Sequence, residues 1–153
     1  MYLLDTNVVS EIRKVAAGTA DAHVAAWQSQ VNTTDCFISV VTLMELEIGV
    51  LRMERRDVVQ GNLLRQWLNH QVTSEFEGRV LPVDTAVARY CAALHVPDPR
   101  PERDAMIAAT ALAHGMTVVT RNTPDFESTG VALLNPWQHG SVQEAKARYA
   151  KHG

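Results

Sequence analysis

Four acidic residues stand close to where apolar runs of this chain stop. Asp5 follows the apolar triplet Tyr2, Leu3 and Leu4 and is itself followed by Thr6 and Asn7. Glu45 comes shortly after the apolar run at 36–40, Asp104 opens the Ala-rich stretch at 104–114, and Asp125 lies just past the apolar run at 117–120. A carboxylate that ends a buried strand, backed by two small hydrogen-bonding side chains, is either a surface turn or a catalytic acid at the rim of a sheet. No glycine or proline lies near Asp5 to mark a turn. Each of the other three has an ordinary reading as well. Thr42 and Glu45 have the spacing of a capping box. Asp104 suits the first turn of a helix, where it complements the dipole. Asp125 fits a turn after Pro124.

Taken together the four acids imply a different chemistry. Two carboxylates about 4 Å apart repel by ~4 kcal/mol at an effective dielectric of 20, so a cluster of four calls for a cation. The histidines at 23, 70, 95, 114, 139 and 152 form no HxH or HExxH pattern, which argues against zinc. An all-oxygen, carboxylate-rich site suits magnesium or manganese (Mg²⁺ or Mn²⁺), ions that also bind phosphate oxygens. The implied reaction is metal-assisted hydrolysis of a phosphoester. There is no GxxxxGK[ST] loop, no GxGxxG after a strand and no GxSxG elbow, and Ser10 and Ser39 have no evident histidine partner. The arginines at 52, 55 and 56, and at 100 and 103, read as solvated helix faces. Arg121 is a candidate phosphate contact.

These residues need a scaffold, and the patterning supplies one. Strands are expected at 2–4, 36–40, 79–83, 117–120 and 131–135. Helices are expected at 8–14, 19–31 (capped by Thr19 or Asp21), 42–56, 58–72, 85–96 (capped by Asp84) and 104–114, the last closed by Gly115. A Pro-rich loop spans 97–101, and a polar helix or frayed end runs from Ser141 to Tyr149. Continuous apolar strands separated by helices indicate an α/β fold, a parallel sheet of about five strands covered on both faces. In such a sheet ligands bind beyond the carboxyl ends of the strands, the edge where the four acids fall. A crossover helix begins at that edge, so Asp104 reaches it as well.

Composition sets the outer bounds. The chain has 153 residues, 46% of them hydrophobic and 20% charged, which is one domain (1–153, with a polar tail from about 141) with material for a real core. The net charge of −3 argues against coating nucleic acid by bulk charge, but not against gripping a few phosphates locally. Cys36 and Cys91 read as reduced, mostly buried thiols. No membrane-spanning run and no secretory signal are visible, so a cytoplasmic protein is expected.

The ordered set LLDTNVVSEI, SVVTLMELEIGV and RDAMIAATALAHGMTVVTRNTPDF resembles the PIN-domain nucleases. It is most similar to VapC-type toxins of toxin–antitoxin pairs, including the FitB-like branch. The likeness runs from Leu3 to about Trp137. It implies a metal-dependent endoribonuclease with catalytic acids at Asp5, Glu45, Asp104 and Asp125. Of these, Asp5, Asp104 and Asp125 would hold Mg²⁺ or Mn²⁺, and Glu45 would hold a second ion or orient water. Some relatives place an acid where this chain has Asn122. Thr6, Asn7, Thr120, Arg121 and Asn122 would line the pocket and contact substrate. The likeness further implies an RNA substrate, a cognate DNA-binding antitoxin and a homodimer. A PIN-like protein that binds RNA or a partner without cutting is one alternative. A metal-dependent DNA nuclease or phosphatase is the other, although Asp5-Thr6-Asn7 lacks the second aspartate of a DxD phosphatase.

Overall fold

The computed structural model describes residues 1–139, and the expected polar tail from Ser141 lies outside them. Five strands form one all-parallel sheet: β1 (Tyr2–Leu4), β2 (Cys36–Ser39), β3 (Val80–Leu81), β4 (Thr117–Val119) and β5 (Leu133–Leu134), in the order β3-β2-β1-β4-β5. Tyr2 pairs with Cys36 on one side and with Thr117 on the other. Ile38 pairs with Val80, and Val118 with Leu133. The chain therefore builds outward from β1 to β2 and β3, then crosses back to lay β4 on the opposite flank of β1.

Alternation along the strands divides the core into two layers. Leu4 and Val119 face one layer with Val8, Trp27, Ile38, Leu46, Leu68 and Phe76. Leu3 and Val118 face the other with Ile107, Ala108, Ala111 and Phe126. Leu3 and Leu4 are almost wholly buried, and each such side chain contributes about 1.5–3 kcal/mol.

The helices are α1 (Thr6–Ile12), α2 (Ala22–Gln30), α3 (Val40–Arg56), α4 (Val58–Gln66), α5 (Thr73–Glu75), α6 (Thr85–Leu94) and α7 (Glu102–His114). Several bounds differ from the sequence expectation. The first helix begins at Thr6 because the Asp5 carboxylate caps it, accepting from the Thr6 N–H. Asp21, not Thr19, caps α2. The helix expected over 58–72 is α-helical only to Gln66; Trp67–Val72 then widens into a π-helical turn that leads into α5. The outer strands are shorter than the apolar runs that suggested them, because β3 and β5 each have one neighbour and pair only briefly. Asp84 and Gly115 act as expected. Asp84 accepts from the Val87 N–H at 3.0 Å, and Gly115 ends α7 at φ 64°.

One correction bears on the site. Helix α3 starts at Val40 rather than Thr42, because the Ser39 hydroxyl accepts from the Val41 N–H at 3.0 Å and makes Ser39 the cap. The Thr42–Glu45 capping box therefore does not form. Thr42 lies inside the helix, and its hydroxyl is buried without a hydrogen-bond partner. The Glu45 side chain is left for another use.

Candidate active site

In an open α/β sheet the crevice for a ligand opens where the strand order reverses. Here that point lies between β1 and β4, and the residue just past each strand end is polar. Asp5 follows β1 and Thr120 follows β4. Both are buried, and the Thr120 hydroxyl donates to Asp5 Oδ2 at 2.8 Å.

Asp5 is held from three sides. Its Oδ1 accepts from the Thr6 N–H at 2.8 Å, and its Oδ2 also accepts from Asn7 Nδ2 at 3.2 Å. Asn7 reaches across the crevice as well. Its Oδ1 accepts from the Arg121 N–H at 3.1 Å, and its Nδ2 approaches the Thr120 hydroxyl at 3.3 Å. The Asn122 N–H donates to the same hydroxyl at 3.0 Å. Thr6, Asn7, Thr120 and Asn122 thus form a hydrogen-bonded frame whose centre is the Asp5 carboxylate. Such a frame fixes both the position and the rotamer of an acid.

Glu45 arrives from α3. The Thr6 hydroxyl donates to Glu45 Oε1 at 2.8 Å, and Arg103 Nη1 stands 3.8 Å from Oε2. Asp104 sits in the first turn of α7, and Asp125 ends the 3-10 turn Thr123–Asp125 after β4. The Asp104 carboxyl is pushed above its ordinary range by burial and then by the negative charges of Asp5, Asp125 and Glu45. Burial also raises Asp5. Its hydrogen bonds from Thr120, Thr6 and Asn7 oppose the rise, and the charge of Asp125 adds to it. The four acids named from the sequence therefore lie within one another's field.

Arg121 joins this frame through its backbone. Its guanidinium turns outward over the Trp137 ring, 5.1 Å from the centroid. Two contributions were not legible in the sequence. The 3.8 Å approach of Arg103 to Glu45 joins two helices that no local pattern connects. Ser39 carried a capping signal of its own, but the stronger Thr42–Glu45 spacing masked it.

The donor set is all oxygen, and each acid bears on its neighbours. Among the described residues no three His, Cys, Asp or Glu side chains are close enough to form a ready-made metal cage. That openness fits a hydrated Mg²⁺-like ion, which keeps several waters and takes only one or two carboxylates directly. The thiols stand outside this chemistry. Both are free, and burial pushes Cys36 up to about 11.

A doubly covered parallel sheet whose carboxyl edge gathers four acids at the strand-order reversal defines an acidic-site α/β protein of the nuclease type. Residues 2–131 match the PIN domain profile, and the chain belongs to the PIN-domain family. It is 36% identical to the VapC ribonuclease Y4jK of Sinorhizobium fredii, a match covering 90% of this chain and 99% of that protein. It is also 36% identical to toxin FitB of Neisseria gonorrhoeae, again over 90% of this chain and 99% of the relative. Among solved structures, FitAB bound to the IR36 DNA fragment superposes with a TM-score of 0.79 at 34% identity, covering 90% of this chain and 96% of that one.

Proposed function

We propose that this chain is a divalent-metal-dependent endoribonuclease and the toxin of a type II toxin–antitoxin pair. The observation that carries the reading is the Asp5 carboxylate, fixed by Thr6, Asn7 and Thr120 at the strand-order reversal, linked to Glu45 through Thr6 and sharing its field with Asp104 and Asp125. The similar proteins named ribonuclease and toxin support the substrate class and the biological role.

Asp5 and Asp104 would hold Mg²⁺ or Mn²⁺, with Asp125 bound directly or through water. When bound, such an ion lowers the pKa of a coordinated water and polarises the phosphoryl oxygens. The protein contributes the rest. Thr120, Thr6 and Asn7 keep Asp5 in one orientation. Thr6 also directs one oxygen of Glu45, while the other, with Arg103 at 3.8 Å, would orient the attacking water by accepting a hydrogen bond from it. The water oxygen attacks phosphorus in line, and the ribose oxygen on the opposite side leaves. Arg121 and Arg103 lie at the rim, where the RNA backbone would pass.

The partner is a cognate antitoxin with its own DNA-binding part, and the toxin is a homodimer that works in the cytoplasm. A basic antitoxin side chain entering the acid cluster would substitute for the cation and switch the enzyme off. The decisive test offers RNA, single-stranded DNA and a generic phosphomonoester to the purified protein with Mn²⁺ and with EDTA. The expected outcome is Mn²⁺-dependent endonucleolytic cleavage of RNA. Cleavage of DNA or of the monoester instead would transfer the reading to a different hydrolase, and no turnover on any of them would leave a binding protein.

A further inference from the structure

Beside the acid cluster lies a second feature that the hydrolytic chemistry does not use. A cavity of about 560 Å³ opens between the C-terminal end of α2, β5 and the turn Pro136–Gln138. That volume lies within the range of small-molecule sites. Trp27 lies against it, buried and set edge-on to Tyr2 with ring centroids 5.7 Å apart. Leu133 adds an apolar wall, and Gln30, Asn135 and His139 bring polar groups to its border. None of the described lining residues is Asp, Glu, Lys or Arg. A phosphate or carboxylate would meet no opposite charge there. A neutral, flat ring with donors and acceptors along its edge meets both apolar wall and polar rim.

The cavity and the acid cluster share a wall. Thr123 lines the cavity, while Asp125, two residues on, raises the carboxyls of Asp5 and Asp104. Two residues of chain span at most about 7 Å, the rise of about two stacked nucleotides. Asn135 lies against the same loop, with its Nδ2 3.5 Å from the Arg121 carbonyl and its Oδ1 accepting from the Trp137 N–H at 2.9 Å. The Arg121 guanidinium rests on Trp137, in the turn Pro136–Gln138 that borders the cavity. Among the described residues His139 Nε2 and Gln30 Oε1, both on the cavity lining, stand 2.9 Å apart. Gln30 is exposed and its Oε1 meets only the His139 ring among the described residues, so its amide can exchange partners when a ligand enters.

We propose that this cavity is a base-recognition subsite, holding one unstacked nucleobase of the RNA strand that runs across the acid cluster, with Gln30 and His139 bonding its edge. The proposal rests on the reading of the substrate as RNA. It fits the way proteins read single-stranded RNA, through splayed bases seated on apolar surfaces and hydrogen-bonded along their edges. Cleavage would then favour one base at a fixed distance from the cut.

Two measurements test it. In the first, a random RNA pool is digested by the wild type, by Gln30→Ala and by Gln30→Trp, which blocks the mouth, and the cut sites are sequenced. Gln30 is exposed, and the readout is the choice of cut site, normalised to the total cuts made by each protein. The expected result is a base preference at one offset in the wild type that drops by about tenfold in both variants. In the second, free nucleosides are titrated without metal while NMR signals of His139 and Leu133 are followed; shifts there, lost in Gln30→Trp, are expected. Efficient cleavage with the same base preference in all three proteins and no nucleoside shifts would overturn the subsite while the ribonuclease reading stands. Nucleoside shifts without RNA cleavage would leave the subsite and remove the ribonuclease. Neither shifts nor cleavage would remove both.

Discussion

Asp104 is the acid whose environment is least compensated. Burial and three neighbouring charges raise its carboxyl above the ordinary 3.8, and no hydrogen bond from the described residues opposes them. The folded protein therefore keeps a proton on Asp104 at pH values where the unfolded chain has released it. Metal-free stability from this group is full below the unfolded pKa and is lost as pH rises through the folded one. Asp104→Asn should accordingly melt higher than the wild type in EDTA at pH 7, and the gap should close towards pH 3. The same variant should lose RNA cleavage by about 100-fold or more and gain less from Mn²⁺ in a thermal melt. Equal melting of the two proteins in EDTA at both pH values would mean that the charges are not felt. Asp5 is a less clean probe, because an amide there keeps only one of the two acceptor oxygens and breaks at least one of the hydrogen bonds that cap α1 and join β1 to β4. Thr6→Val keeps the shape and removes the donor to Glu45 Oε1. Cleavage should fall about 10- to 100-fold with the melting temperature within a few degrees of wild type, as judged by initial rates beside a calorimetric scan.

At the scale of elements, the pairing of α3 with α4 decides how firmly Glu45 is presented. Gly61 on α4 lies flat against α3, where an added Cβ would meet the Glu54 Cα at 2.5 Å. Backbone cannot yield as a side-chain tip can, so Gly61→Ala should separate the two helices and cost about 1–3 kcal/mol. Chemical denaturation would read this as a lower midpoint with an unchanged slope. A neutral outcome would mean that the helices do not touch there. Arg65 spans the same junction, binding Glu47 at 2.6 Å and Glu54 at 2.8 Å. It orients the hairpin more than it stabilises it, as partly exposed ion pairs contribute little. The opposite principle rules α7, where Ala105, Ala108, Ala109 and Ala111 are buried. Their small side chains let the helix lie close to the sheet, which carries Asp104 to the carboxyl edge.

For the whole molecule, the α3–α4 hairpin leaves Leu51, Val58, Val59 and Leu63 exposed. An exposed apolar patch of this kind marks an interaction surface. Trp67, at the end of the same hairpin, packs partly into the core under the cation–π contact of Arg13, 5.8 Å from its ring centroid. If the hairpin is where an antitoxin seats, Leu51→Glu with Leu63→Glu should weaken co-purification of the pair by tenfold or more, as a change of about 1.4 kcal/mol suffices, and leave both the melt and RNA cleavage of the free toxin unchanged. Undiminished co-purification would move the antitoxin elsewhere. No described helix is long and apolar enough to cross a membrane.

Sequence alone determined what depends on near neighbours. Short continuous apolar runs marked the strands, helical spacing marked the helices, and Asp84 and Gly115 marked their ends, because each of these signals is decided within a few residues. The family resemblance, and with it the four acids, was legible for the same reason: the motifs are short and ordered. What only tertiary structure decided are the joins across long separations. The Thr120–Asp5 hydrogen bond spans 115 residues and the Thr6–Glu45 bond spans 39. Both exist because β4 returns to the flank of β1, a consequence of strand order that no local pattern encodes. The choice of Ser39 over Thr42 as the α3 cap was likewise set from outside, by where β2 stops pairing with β3 at Ser39 and Leu81. That choice moved Glu45 from a helix cap into the site.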